Sequence, residues 1–249
     1  MAIRSILVTG ANRGIGLGIV KEYLKLDIPP VHLIATFRDP GCSEELLKIA
    51  EENDRVHALQ LDVAHVEEHP DFVKKVADIV GPENGLNLLI NNAGYLSEKR
   101  DLESVTAEEM AKSFQINCIA PLLLTREFLP LLKAAIKDDK PKFKVSQAAS
   151  ILMSTAVSSI TENTGGGLYA YRSSKSALNM AMKSLAVDLK DTGILIMAMH
   201  PGWVKTRMGG ENALIDVDTC VSTMLKTLDE LDEKDHGTLK RYNNTEIPW

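Results

Sequence analysis

VTGANRGIG, residues 8–16, joins a short apolar run to a segment with helical periodicity. Gly10 permits a tight turn, Gly14 lets the backbone approach a pyrophosphate, and Gly16 allows a helix to pack closely on a strand. Free amide groups at the start of the helix would bind the phosphates, and the helix dipole favours their negative charge. The stretch therefore predicts the first strand, turn and helix of a dinucleotide-binding fold.

A glycine-rich pattern alone is weak evidence, because glycines also serve ordinary turns and other nucleotide- or methyl-donor-binding folds. Its position makes it more specific, since it follows a strand-like run and precedes an amphipathic helix. The apolar residues of that helix recur at helical spacing: Ile15, Ile19, Val20, Tyr23 and Leu24.

Along the rest of the chain, short apolar and β-branched runs alternate with longer segments whose apolar residues recur at helical spacing. Several runs are apolar almost throughout, which is typical of strands buried on both faces of a parallel sheet. The predicted strands are Ser5–Thr9, Val31–Phe37, Val56–Leu61, Leu86–Asn91, Ser150–Met153, Ile194–Met199 and Gly237–Arg241.

Segments with helical periodicity lie between these strands. The predicted helices are Gly14–Lys25, Ser43–Glu52, Glu68–Val80, Ala107–Phe114, Pro121–Ile136, Tyr171–Asp191 and Asp218–Leu228. The alternation indicates βαβ units with right-handed crossovers. We therefore predict an α/β fold with a single Rossmann-like, doubly wound parallel sheet of about seven strands flanked by helices.

Two segments interrupt the alternation. Lys137–Lys144 is charged and contains a proline, so we expect a solvated connection, and Ile160–Leu168 holds three successive glycines, so we expect an irregular loop. Neither segment has the character of a linker between domains. We predict one domain over residues 1–249.

Composition narrows the function classes. The chain has 249 residues, 45% of them apolar, and a formal net charge of −6, which argues against a surface that tracks nucleic-acid phosphates. No apolar run is long enough to cross a bilayer, and no secretory signal is evident. Three widely spaced cysteines indicate reduced thiols, so we expect a cytoplasmic protein.

TGANRGIG reads T-G-x-x-x-G-x-G and resembles the cofactor motif of the classical short-chain dehydrogenase/reductase family. Asp62 resembles the family's aspartate that bonds the adenine amino group, and Asn91–Gly94 resembles its N-N-A-G segment. Pro201–Thr206 resembles P-G-x-V-x-T, which meets the nicotinamide carboxamide. The resemblance implies a cofactor site made of Gly10, Asn12, Arg13, Gly14, Ile15, Gly16, Arg38, Asp62, Val63, Asn92, Ala93, Gly94, Tyr171, Lys175, Pro201, Gly202, Val204 and Thr206.

The residues that meet the adenosine ribose separate NAD from NADP. An acid at the end of the second strand would bond a 2′-hydroxyl, whereas arginine accommodates a 2′-phosphate. Here Arg38 follows Phe37, and Arg13 supplies a second guanidinium inside the glycine turn. We expect NADPH/NADP+ as the cofactor.

Tyr171 and Lys175 stand at i and i+4 and share one face of a helix. This spacing arises readily by chance, but it follows the upstream motifs in the family's order. The resemblance implies that Tyr171 is the proton donor for a developing alkoxide and that Lys175 holds the nicotinamide ribose. A nearby ammonium and the oxidised nicotinamide should lower the phenol's pKa.

Three residues are candidates for the hydroxyl that polarises the substrate carbonyl. Counting 13 residues back from the tyrosine, as the family pattern implies, gives Ser158. Matching the strand text instead gives Thr155, which we favour because the end of a strand fixes this group more firmly than loop length does. Ser154 is a third candidate. Asn117 resembles the family asparagine that anchors a proton-relay water, which completes the catalytic set Tyr171, Lys175, Thr155 and Asn117.

Together these motifs predict an NADPH-dependent reductase of aldehydes or ketones, with a small carbonyl substrate; within the family, residues 168–172 and 200–206 resemble the Sniffer-type carbonyl reductases. A non-catalytic NADP(H)-binding sensor is the alternative, and a sugar-nucleotide epimerase is disfavoured by the glycine spacing.

We expect pocket walls at Tyr95–Arg100, Ile160–Leu168 and Trp203–Ala213. His65 and His69 lack a third ligand, so we expect no metal site. The small residues Ala177, Ala181 and Ser184 pack either in a homodimer or against their own chain.

Overall fold

The computed structural model describes residues 3–138 and 142–249. Within them, seven parallel strands form one sheet in the order β3-β2-β1-β4-β5-β6-β7. The strands are β1 (Ser5–Val8), β2 (His32–Phe37), β3 (Val56–Gln60), β4 (Leu88–Asn91), β5 (Ala149–Met153), β6 (Leu195–His200) and β7 (Leu239–Arg241). This confirms the predicted doubly wound sheet. The winding reverses between β1 and β4, where such folds bind ligands outside the carboxyl ends of the strands.

Strand β1 shows how the sequence builds two layers. Ile6, Leu7 and Val8 are all completely buried. Ile6 and Val8 enter one hydrophobic core, whereas Leu7 enters the other, because successive side chains of a strand point to opposite faces. An apolar run without polar alternation is therefore what a strand in the middle of this sheet requires.

Seven α-helices of the described residues cover the two faces. They are α1 (Gly14–Leu24), α2 (Glu44–Glu52), α3 (His69–Val80), α4 (Ala107–Phe114), α5 (Ala120–Ala135), α6 (Tyr169–Asp188) and α7 (Val217–Glu230). Buried residues of α1, α2 and α7 fill one core, and those of α3, α5 and α6 fill the other. None of these described helices is both long and apolar enough to cross a membrane.

Several predicted helix ends differ from the observed ones by one to three residues, and two differences bear on the site. A π-helical turn, Gln115–Ile119, connects α4 to α5, where we expected a break. No glycine or proline interrupts this turn, and Asn117 and Cys118 are buried in it. Helix α6 begins at Tyr169 rather than Tyr171, which places Tyr171 inside its first turn.

The irregular loop Ile160–Leu168 ends in three successive left-handed residues. Gly166, Gly167 and Leu168 have φ angles of 60°, 63° and 51°. Left-handed backbone is costly for a leucine but not for glycine, so the two glycines carry most of this reversal. The predicted charged connection Lys137–Lys144 includes residues 139–141, which lie outside the described residues.

Candidate active site

The glycine turn is bonded to the N-N-A-G segment at the carboxyl ends of β1 and β4. The Asn92 side-chain amide donates to the carbonyls of Thr9 (2.8 Å) and Gly10 (3.1 Å), and the Ala93 amide donates to the Thr9 hydroxyl (3.0 Å). The Gly10 amide donates to the hydroxyl of Thr36 at 3.1 Å. Sequence reasoning missed both threonine hydroxyls; the signal was a polar residue at the end of an otherwise apolar strand.

Each glycine of the turn occupies a place where a side chain would collide or strain the backbone. Gly10 and Gly14 have φ angles of +62° and +55°. A Cβ on Gly10 would lie 3.1 Å from the Ala93 Cα, and a Cβ on Gly16 would lie 2.5 Å from the Gly10 carbonyl oxygen. A Cβ on Gly14 would lie 3.3 Å from the Thr206 methyl, so the segment after β6 also reaches this turn.

Positive charge borders the glycine turn. Arg13 is the exposed N-cap residue of α1, and no side chain among the described residues caps that helix end. Asn12 donates to the Cys42 carbonyl at 2.8 Å, which holds the turn that follows the exposed Arg38 against the glycine turn. In that turn the Asp39 carboxylate accepts a hydrogen bond from the Gly41 amide (2.9 Å). The arrangement leaves two guanidinium groups and free helix amides for an anion.

The segment after β3 is pinned by three hydrogen bonds. The Asp62 carboxylate accepts the Ala64 amide at 3.0 Å, and His69 Nε2 lies 3.1 Å from the Val63 carbonyl. The Gln115 side chain donates to the Ala64 carbonyl at 2.8 Å. His69 is completely buried, so it holds this segment.

No three His, Cys, Asp or Glu side chains of the described residues cluster as metal ligands would. His65, the other member of the i,i+4 pair, instead lies 3.5 Å from the Glu68 carboxylate.

Tyr171 and Lys175 both lie in a poorly solvated environment. Burial raises the pKa of Tyr171 from 10.0 to about 12, and a hydrogen bond with the Thr155 side chain opposes that shift. The predicted lowering of this pKa counted the oxidised nicotinamide together with the ammonium. Among the protein groups, desolvation of the phenolate is the largest effect and raises the pKa. The Lys175 ammonium donates to the Met153 carbonyl at 2.6 Å, and burial lowers its pKa from 10.5 to about 8.

The three candidate hydroxyls at the end of β5 have different partners. Ser158 donates to the Thr155 carbonyl (2.5 Å) and accepts from the Asn179 side-chain amide (2.8 Å). Ser154 donates to the Asn179 side-chain carbonyl at 2.7 Å. The Thr155 hydroxyl accepts the Val157 amide at 3.3 Å and also contacts the phenol of α6. Both serines are thus engaged with Asn179.

Asn117 lies in the π-helical turn and is completely buried. Its Oδ1 accepts the Tyr95 amide at 2.8 Å, while its Nδ2 donates to the Tyr95 carbonyl (2.8 Å) and the Ser174 hydroxyl (3.1 Å). A Cβ on Gly94 would lie 3.5 Å from Asn117 Oδ1 and 3.9 Å from Lys175 Nζ. The structure therefore brings Asn117, Gly94 and Lys175 together.

The segment after β6 is a tight turn rather than an open loop. Gly202 has φ +88°, and a Cβ there would lie 2.7 Å from the Ile215 side chain. Val204 is buried and pairs with Ile215, while the Thr206 hydroxyl accepts the Gly209 amide at 3.1 Å. A cavity of about 500 Å³ beside it is lined by Lys205, Thr206, Arg207, Gly210 and Glu211.

Two of the predicted pocket walls contact each other. The Leu168 amide donates to the Arg100 carbonyl at 2.6 Å, which joins the loop before α6 to the segment after β4. In the third predicted wall the Trp203 side chain is half exposed and donates to the Gly209 carbonyl at 2.7 Å.

Comparisons with known proteins place the chain in a family. Residues 4–214 match the short chain dehydrogenase family. The chain is 41% identical to the carbonyl reductase Sniffer of D. melanogaster, covering 99% of this chain and 100% of that one with a TM-score of 0.96. It is 38% identical to an NADPH-bound carbonyl reductase from chicken fatty liver, with full coverage of both chains and a TM-score of 0.94. A curated relative, the C-signal of Myxococcus xanthus, is 38% identical over 66% of this chain and 93% of its own length.

Proposed function

The chain belongs to the short-chain dehydrogenase family of oxidoreductases, and we propose that it is an NADPH-dependent carbonyl reductase acting on an aldehyde or ketone. The observation that carries the proposal is the meeting of Tyr171, Thr155 and Lys175 at the carboxyl end of β5. Similarity to two carbonyl reductases over the full length of the chain supports it. The whole chain would act as one catalytic domain.

The glycine turn and its neighbours fit a dinucleotide. The crowding at Gly10 and Gly16 excludes side chains at these two positions, which would let a pyrophosphate approach the backbone amides at the start of α1. Arg13 and Arg38 are both exposed, and the bond between Asn12 and Cys42 holds their two turns together; guanidinium groups suit a 2′-phosphate, which favours NADPH over NADH. When bound, the cofactor supplies the hydride that reduces the carbonyl carbon.

Tyr171 would donate its phenolic proton to the substrate oxygen as that oxygen becomes negative. Burial holds the pKa of the phenol at about 12, so the group is fully protonated at neutral pH and ready to donate. In the reverse direction the phenolate would be the base, and that direction needs additional positive charge to lower the pKa.

Lys175 would supply positive charge to the site. Its pKa of about 8 keeps the ammonium mostly charged at pH 7, although it is almost completely buried. The hydrogen bond to the Met153 carbonyl fixes the ammonium at the end of β5, one residue before Ser154. The remaining ammonium hydrogens are available for ribose hydroxyls of the cofactor.

Thr155 would be the hydroxyl that stabilises the substrate oxygen. Its contact with the Tyr171 phenol supports this choice, whereas Ser158 is engaged by Asn179 and by the Thr155 carbonyl. Ser154 is likewise engaged by Asn179. Threonine retains the hydroxyl and adds a methyl group to the pocket wall.

Asn117 would anchor the proton-relay water through its main chain. Both hydrogens of its side-chain amide are used by Tyr95 and Ser174, so the side chain has no donor left for a water. A π-helical turn changes the register of main-chain hydrogen bonds and is frequent at functional sites, which supports a role for the carbonyl there.

The cysteines and one exposed face of α6 bear on the compartment and the assembly of the protein. Cys42, Cys118 and Cys220 are free thiols, which fits a reducing compartment such as the cytoplasm. On α6, Met180 and Val187 are 69% and 58% exposed, and this apolar face supports a homodimer in which α6 packs on its symmetry mate.

The test is a panel of aldehydes and ketones with the purified protein, following the loss of NADPH absorbance. We expect turnover with NADPH for at least one class of reactive carbonyl and much weaker turnover with NADH. NADPH binding without oxidation by any carbonyl would contradict the proposal and favour a non-catalytic sensor.

A further inference from the structure

The arginine that follows Tyr171 bonds two separate segments of the site. Arg172 donates through Nη1 to the Val157 carbonyl at 2.9 Å and through Nε to the Gly166 carbonyl at 3.1 Å. Val157 lies in the 3₁₀ turn that begins directly after Thr155. Gly166 lies in the left-handed reversal that leads into α6.

Two further side chains on the same face of α6 bond the turn after β5. Ser176 donates to the Ser158 carbonyl at 2.7 Å. Asn179 bonds the hydroxyls of Ser158 (2.8 Å) and Ser154 (2.7 Å). Positions 172, 176 and 179 are spaced i, i+4 and i+7, which places them in one row along a helix.

These three side chains bond α6, which carries the Tyr171 phenol, to the turn that carries the Thr155 hydroxyl. The phenol belongs to α6, whereas the Thr155 hydroxyl belongs to the turn that the row holds. Arg172 is the member next to Tyr171, and its planar fork reaches both the turn and the loop with fixed geometry. A lysine retains the charge but lacks this fork.

We propose that Arg172 is a positioning residue, which holds the Thr155 hydroxyl against the Tyr171 phenol by bonding the carbonyls of Val157 and Gly166. The inference rests on the proposed reductase function. Arg172 touches neither reacting group directly and acts through the turn that carries Thr155. Displacing a reacting group by about 1 Å can cost about a hundredfold in rate.

The experiment compares Arg172→Met, Arg172→Lys, Thr155→Ala and the double variant Arg172→Met/Thr155→Ala. We expect kcat of the Arg172→Met variant to fall about 10- to 100-fold while its Kd for NADPH is unchanged. The kcat of the double variant should be no more than about twofold below that of Thr155→Ala, because the hydroxyl that Arg172 positions is already gone. Arg126→Met is the matched control, since the exposed Arg126 side chain on α5 pairs with Glu127 far from the β5 turn in sequence, and its kcat should equal that of the wild type.

Three outcomes are informative. A wild-type kcat in Arg172→Met, or an equal loss with and without the Thr155 hydroxyl, overturns the positioning role alone. If Arg172→Met fails to fold by circular dichroism, Arg172→Lys decides: a lowered kcat at unchanged Tm supports the role, and a wild-type kcat overturns it. Failure of the wild type to reduce any carbonyl overturns the proposed function and this role with it.

Discussion

Asn117 pairs with the main chain of Tyr95 in both directions, accepting its amide and donating to its carbonyl, each at 2.8 Å. The pairing resembles one rung of a sheet, although one partner is a side chain in a π-helical turn. It bonds the segment after the N-N-A-G motif to the helical connection between α4 and α5. Asn117 therefore holds together the end of a predicted cofactor-binding segment and the start of a predicted pocket wall.

Asn117→Ala should lower the free energy of unfolding by about 1–3 kcal/mol, because it leaves the partly buried amide and carbonyl of Tyr95 without the partners that Asn117 supplies. Urea unfolding followed by circular dichroism measures the change. Glu109→Gln is the comparison, since Glu109 bonds the side-chain hydroxyls of Tyr95 (2.7 Å) and Ser97 rather than main-chain groups, so its effect should be smaller. Equal stabilities of Asn117→Ala and the wild type would contradict the anchoring role.

Tyr171→Phe should retain NADPH binding and lose about 10²- to 10⁴-fold in kcat, which is the usual contribution of a positioned general acid. Stopped assays with a reactive carbonyl give kcat, and quenching of protein fluorescence gives the Kd for NADPH. Tyr169→Phe is the control, because that tyrosine lies two residues away on α6 and is partly exposed. Parental turnover in Tyr171→Phe would refute the proton transfer.

Thr155→Ala should lower kcat about 10²- to 10³-fold, as removal of one donor to a developing oxyanion does. Ser158→Ala should instead lower Tm, because it leaves the buried Asn179 amide without its partner. Thr155→Ser should retain most activity, since the hydroxyl persists. A larger kcat loss in Ser158→Ala than in Thr155→Ala would reverse the assignment.

The buried Lys175 makes stability depend on pH in a defined window. Its pKa is about 8 in the folded protein against an ordinary 10.5, so between these pH values the unfolded chain binds more protons and the free energy of unfolding rises with pH. The stability difference between the wild type and Lys175→Met should therefore move in favour of the wild type from pH 8 to 10.5. Urea unfolding across this range measures it, and a difference independent of pH would count against the shifted pKa.

Arg13→Ala and Arg38→Ala should each reduce kcat/KM for NADPH about 10- to 100-fold and change that for NADH little, because a charged hydrogen bond to phosphate is worth about 1.5–3 kcal/mol. Steady-state kinetics with both cofactors measure the ratio. Arg55→Ala is the control, since Arg55 lies at the opposite end of the sheet and bonds the Pro30 carbonyl at 3.3 Å. Unchanged cofactor preference in both variants would remove the arginines from the 2′-phosphate site.

The fold could be predicted from sequence because its signals are local. Apolar runs such as Ile6–Val8 and glycines such as Gly10 and Gly16 act through burial and backbone conformation, which depend on few neighbours. The π-helical turn at Gln115–Ile119 could not be predicted, because its residues have ordinary helical character and no glycine or proline marks the change in hydrogen-bond register.

The sequence by itself determined the order of motifs and therefore the sheet, the glycine turn and the i,i+4 pair of Tyr171 and Lys175. The tertiary structure alone decided the bonding partners of Thr155 and Ser158, which are three residues apart in sequence but face different groups. It also decided the direction of the Tyr171 pKa shift. Hydrogen-bond partners and desolvation depend on distant segments brought together by folding, and no local pattern records them.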